Sequence, residues 1–164
     1  MRRAAPGQAL VLAAFMLSVL AALAFGTLTV VTHRRVLSRA QLAVDEAALR
    51  ATAQMNTARL VTGQPGLDVA TSRAAFRAAL TTGLAAVAPA LATSVADVVS
   101  RAEIVVVNGG TCTLISAPVR TWTVSGPTVC ARVWLPVGSP LGDRTSWVDT
   151  TTQGTEQADT AASE

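Results

Sequence analysis

A chain of 164 residues, 51% of them hydrophobic, allows one ordinary domain plus an appendage, and it is too apolar for that domain alone. Its net charge of +3 and sequence pI near 10.1 do not describe a nucleic-acid binder. Residues 1–59 hold seven arginines against Asp45 and Glu46, whereas residues 60–164 hold six against eight acids, so the positive charge brackets an N-terminal apolar run and forms no basic patch interleaved with aromatics.

Residues 1–8 read as a basic stub, with Arg2 and Arg3 followed by Pro6-Gly7-Gln8. From Ala9 to Thr32 no residue is charged. A helix of that length rises about 36 Å, enough to cross roughly 30 Å of hydrocarbon, so residues 9–32 are expected to be a transmembrane helix. Anionic membrane lipid is the expected partner of Arg2, Arg3, Arg34, Arg35 and Arg39. Ala22-Leu23-Ala24 has the small-x-small form of a signal-peptidase site, but the apolar run continues through Phe25 to Val31, as in an anchor that stays attached. The flanking arginines nearly balance across the span. The short stub and the two downstream cysteines favour a cytoplasmic N-terminus and an extracytoplasmic bulk.

Residues 33–62 contain no Pro or Gly, and are expected to carry the helix on to about Val61, where TGQPG breaks it. Within them Val36, Ala40, Ala43, Val44, Ala47, Ala48 and Ala51 recur at three- and four-residue steps as a narrow stripe of mostly small side chains. Residues 63–137 read as an α+β head. A helix is expected over Asp68–Val87, with Gly83 weakening its last turn and Pro89 just beyond. Two hairpins follow: Glu103–Asn108 with Thr111–Ile115 around Gly109-Gly110, and Val119–Val124 with Thr128–Val137 around Ser125-Gly126-Pro127. Val129, Ala131, Val133, Leu135 and Val137 alternate as a buried face. Residues 138–164 read as a polar tail, disordered from about Asp149. The expected fold class is therefore α+β, with a long N-terminal helix, a second short helix and a small four-strand antiparallel sheet.

Little here suggests chemistry. Cys112 and Cys130 form no C-x-x-C and the single histidine, His33, sits at the membrane edge, so no metal site is expected and a strand-to-strand disulfide is the natural use outside the cytoplasm. Ile104 to Gly110 is a strand running into glycines, but no helix and no Gly-Lys pair follow, so a phosphate loop is not expected. Asp143, Asp149 and Glu156 fall in the tail without partners on a rigid element. Trp122, Trp134 and Trp147 are expected to serve core or interface packing. No catalytic residue, cofactor or enzymatic activity is expected.

The order of Arg-Arg, Gly7-Gln8-Ala9-Leu10-Val11-Leu12, an apolar helix and then AQLAVDEAALRATA resembles the N-terminal module of TadE/TadG-like proteins of the tight-adherence (Flp) pilus system. The match covers roughly residues 2–54. Asp45 falls on the aspartate of the family's second segment, and Ala47, Ala48 and Leu49 on the A-A-L that follows. The resemblance implies a minor pilin or pseudopilin of the bacterial cytoplasmic membrane with a pilin-like plan. It also implies partners among other pilus subunits, reached through the N-terminal helix, and a prepilin-type cleavage between Gly7 and Gln8. The chain departs from pilins at Leu12, where the fifth mature position of a pilin carries a glutamate. Along the membrane helix, Ala14, Ser18, Ala22 and Gly26 recur every four residues as a ridge that would let a second helix approach closely. The alternative reading is a single-pass anchored extracytoplasmic binding module whose helix is a tether.

Overall fold

The computed structural model describes residues 6–61, 63–138 and 142–154. Arg2 and Arg3 lie outside them. The chain divides into two compact units, residues 1–35 and 36–164. One helix, α1 (Pro6–Thr52), contributes to both. It opens with Pro6, whose fixed φ and missing N–H suit the first turn of a helix, and Gly7 and Gln8 follow it in that turn. In the first unit the large apolar side chains from Leu10 to Val31 are exposed. The stretch is long and apolar enough to cross a membrane. Ser18, Thr27, Thr29 and Thr32 do not interrupt it, since each hydroxyl donates to a carbonyl three or four residues back.

The second unit is α+β. The helix ends at Thr52, nine residues before Val61, where the TGQPG signal puts its end. The backbone finds other partners past this point: the Gln54 N–H donates to the Ala51 carbonyl and the Asn56 N–H to the Gly66 carbonyl, while the Asn56 side chain accepts the Arg59 N–H, starting a separate short helix α2 (Thr57–Val61). Met55 bridges Leu67, and the Asp68 N–H donates to the Gln54 carbonyl, so the loop folds back on itself. Helix α3 (Val69–Leu84) begins where Asp68 caps it by accepting the Thr71 N–H at 2.8 Å. A 3-10 turn (Ala88–Ala90) follows, and then α4 (Val95–Ser100), which periodicity alone did not suggest. Ser94 caps α4 by accepting the Asp97 N–H.

The sheet has three antiparallel strands in the order β1 (Glu103–Leu114), β2 (Arg120–Val137) and β3 (Arg144–Gln153). The four expected strands merge into two. The two turn signals lie within one residue of the same distance from the true turn at residues 115–119, so Gly109-Gly110 and Ser125-Gly126 meet across the ladder, and the extra residue on β2 makes a bulge where two hairpin tips were expected. Asn108 pairs Pro127 and Gly110 pairs Val124 on either side of it. The third strand comes from the region read as tail. Residues 144–153 pair with β2 along their whole length, and Val148 is buried.

The core lies between the helices and one face of this sheet. Ala40, Ala43, Val44, Ala47, Ala48 and Ala51 of α1 join Phe76, Leu80 and Leu84 of α3, Val98 and Val99 of α4, and Val129, Ala131, Val133 and Leu135 of β2. The alternation in β2 thus marks the core face as expected. The small stripe of α1 is consumed inside its own head. Gly83 explains why: a Cβ there would stand 2.7 Å from the Ala43 Cβ and 3.3 Å from its Cα, so α1 and α3 touch backbone to backbone at this point.

Candidate functional site

The opposite face of the sheet carries the most unusual arrangement in the head. Cys112 stands across from Trp122, and Cys130 across from Val105. Along a flat ladder, Val105 and Cys112 would be about 24 Å apart. Yet Cys112 and Cys130 are disulfide-bonded, with Cα atoms 6.5 Å apart. The distal half of the hairpin is therefore folded back over the proximal half. The bulge makes the bend, and Gly109 and Gly110, at φ 123° and 93°, adopt backbone angles closed to most side chains. Between the two layers lies a satellite core of Cys112, Leu114 and Cys130, flanked by Val105, Val107 and Trp122. Asn108, at the bend, ties it to the α2–α3 loop: its amide accepts the Leu67 N–H at 2.6 Å and donates to the Leu67 carbonyl at 3.3 Å.

The folded-back tip is held by charge. Glu103, Arg132 and Asp149 form one row across the three strands, since Glu103 pairs Arg132 and Arg132 pairs Asp149 in the register. Arg132 is 1% exposed. Its guanidinium donates to both Asp149 oxygens, Nε at 2.6 Å and Nη2 at 2.9 Å, in the two-pronged geometry that a guanidinium fork offers a carboxylate. Nη1 donates to the Ser116 carbonyl and, at 2.7 Å, to that of Pro118. The Glu103 carboxylate accepts the Ile115 N–H at 2.5 Å and the Ser116 N–H at 3.2 Å. Arg120 adds a second cation 3.3 Å from Asp149. A buried guanidinium is tolerated because nearly every donor has an acceptor and the row carries compensating charge.

The protonation behaviour follows from these contacts. The hydrogen bond from Arg132 holds the Asp149 carboxyl below its usual range against the opposing effect of burial, with the charges of Arg132 and Arg120 adding to it. Burial pushes Glu103 up, but the donated N–H groups of Ile115 and Ser116 and the charge of Arg132 outweigh it, so its carboxyl is also lowered. The bond to Asp149 raises Arg132, partly offset by burial. Every charge in the row is fixed at neutral pH. Such a site is built to hold, with no group poised to exchange a proton.

Beside the row, Trp134 and Trp147 oppose one another on β2 and β3. Arg101 lies 5.0 Å from the Trp134 ring centre, and Arg132 lies 5.8 Å from that of Trp147. Trp147 is 46% exposed, and Ile115 and Val119 at the tip are exposed too. A shallow groove between α1 and α3, lined by Arg50, Gln54, Ala75 and Ala78, is mostly alanine and offers no convergent polar set. Among the described residues, no three His, Cys, Asp or Glu side chains gather where they would hold a metal ion.

The residues singled out from sequence fall in separate places. Cys112 and Cys130 meet. Ala47 and Ala48 are core residues, whereas Leu49 is exposed, and Asp45 accepts the Gln41 amide at 3.0 Å while that amide also reaches the Asp149 carbonyl. Ala14, Ser18 and Ala22 are exposed, and the space beside Gly26 is open to 4 Å. Asp149 is not a partnerless tail residue, because β3 delivers it to Arg132. The sequence reading missed Arg132, Glu103 and Asn108. The available signal was Arg132 itself, the one charge between Val129 and Val137. The chain matches no protein-family model, no curated protein and no solved structure.

Proposed function

We propose that this chain is a single-pass protein of the bacterial cytoplasmic membrane with a structural or assembly role. In this reading it is a TadE/TadG-like minor pilin or pseudopilin contributing to Flp-type pilus biogenesis, with its N-terminus cytoplasmic and its head extracytoplasmic. One observation carries most weight: the large apolar side chains between Leu10 and Val31 are exposed, joined to a disulfide-bonded head that suits an oxidising compartment. The ordered pair of motifs in residues 2–54 supplies the pilus assignment by resemblance. No cofactor and no catalytic residue enters this reading. Processing between Gly7 and Gln8 belongs to the proposal, and intact mass of the membrane-extracted protein decides it.

The assembly role rests on the Ala14, Ser18, Ala22 and Gly26 ridge as a helix-packing surface for another pilin-like subunit. Replacing Ala22 and Gly26 together with leucine makes the span more apolar, so insertion persists, and fills the ridge. Cross-linking and co-purification from membranes are expected to lose the partner subunit in this variant. Undiminished association would reject the ridge as the interface. The tether reading would then gain, with the exposed Trp147, Ile115 and Val119 as the surface of an anchored binding module.

A further inference from the structure

The hairpin tip is held in two chemically independent ways, and they differ in when they can act. The disulfide exists only after oxidation. The Glu103–Arg132–Asp149 row uses groups that the reduced chain already carries, and four of its hydrogen bonds converge on Ile115, Ser116 and Pro118 of the tip. In a flat hairpin, Cys112 would lie far down the ladder from Cys130, and the bulge glycines permit a bend without aiming it. Something other than the sulfur must set the direction of the fold-back. The row does so from the correct place: Arg132 sits two residues from Cys130 on the same face of β2, and Ser116 sits four residues beyond Cys112.

We infer that the Glu103–Arg132–Asp149 row is an ionic latch that closes the hairpin over the sheet before oxidation, and so delivers Cys112 to Cys130 for an intramolecular bond. The covalent step is thiol–disulfide exchange with an external disulfide. The thiolate of one cysteine attacks it, forming a mixed disulfide and releasing one thiolate. The second cysteine's thiolate then attacks the protein sulfur of that mixed disulfide, forming the Cys112–Cys130 bond and releasing the other. Two electrons pass to the oxidant, and the two protons leaving the cysteines end on the two released thiols. With the latch closed the second attack is local. With it open the mixed disulfide persists and is free to couple to another chain.

Two measurements on the full chain in detergent micelles test this. In the Cys112→Ser/Cys130→Ser chain, the Ile115 and Ser116 amides should keep their slow hydrogen exchange, because Glu103 still accepts them. In the reduced native-cysteine chain, Glu103→Gln and Arg132→Lys should each slow intramolecular closure by oxidised glutathione about tenfold, a typical loss for charge-assisted hydrogen bonds, while the glutathione mixed disulfide accumulates. Exchange at Val129, Ala131 and Val133 reports whether the main core is intact. Should Arg132→Lys unfold it, Glu103→Gln decides, since that change leaves the Arg132–Asp149 pair in place. Fast exchange at Ile115 and Ser116 in the serine chain with a protected core overturns the inference, as does unchanged closure in Glu103→Gln.

Discussion

Two stretches of α1 are both apolar and have opposite fates. Between Leu10 and Val31 large apolar side chains stand all round the helix, with the small Ala14, Ser18, Ala22 and Gly26 among them, and the large ones are exposed. Between Ala40 and Ala51 one stripe of mostly small residues (Ala40, Ala43, Val44, Ala47, Ala48 and Ala51) is fully or almost fully buried, while Leu42 and Leu49 on other faces are exposed. Helix propensity does not separate them. Side-chain volume and patterning do: an all-round surface of Leu, Phe and Val needs an apolar solvent, whereas an alanine stripe lets backbones approach and so needs a partner with a matching small surface. In this chain α3 supplies that partner at Gly83.

An aspartate placed in each stretch should break different things. Ala47 is fully buried in the head core, and Ala47→Asp would bury a carboxylate with no designed partner. We expect this to destabilise the head by about 3–5 kcal/mol or prevent its folding, read as loss of the cooperative denaturant transition in detergent. Leu20→Asp should leave that transition where it is. Its penalty of about 2.5–3.5 kcal/mol at the centre of a span should appear instead as a larger fraction extracted from membranes by alkaline carbonate. A destabilised head in Leu20→Asp, with unchanged extraction, would mean that the first stretch packs on protein and is no anchor.

How much of this could be read from the sequence depends on the range of the interactions. The apolar span, the α1 stripe and the alternation of Val129 to Val137 are local patterns, and each landed where periodicity put it. The helix stops at Thr52 and not at Val61 because Gln54 and Asn56 take backbone partners across the loop, at Asp68 and Gly66, which no local Gly/Pro signal shows. The sheet differs for a reason of near-symmetry: two glycine turn signals almost equally far from the tip read as two turns, and only pairing shows that they face each other. Polar composition hid β3: Thr150 apart, seven of its ten residues are Arg, Thr, Ser, Asp or Gln, and just Val148 and Thr150 are buried. The Cys112–Cys130 bond was inferable from compartment, but the fold-back beneath it was not. Glu103, Arg132 and Asp149 lie far apart in sequence and become one site only through the register of all three strands.

The smallest expected effect probes the closest contact in the core. At most helix-interior sites Gly→Ala gains up to about 1 kcal/mol from backbone entropy and propensity. At Gly83 the added methyl meets the Ala43 Cβ at 2.7 Å and its Cα at 3.3 Å. Neither atom belongs to a flexible side-chain end, so α1 and α3 must separate, and overpacking of this kind typically costs about 1–3 kcal/mol. The clash should win, leaving Gly83→Ala destabilised by about 1 kcal/mol net after the propensity gain is subtracted. Ala43→Gly in the same chain removes the methyl that is struck, and should recover part of the loss despite its own helix penalty. A double-mutant cycle should therefore show coupling of about 1–2 kcal/mol of favourable sign. If Gly83→Ala stabilises the head instead, the helices stand further apart than these distances, and the α1 stripe owes its small residues to something other than contact with α3.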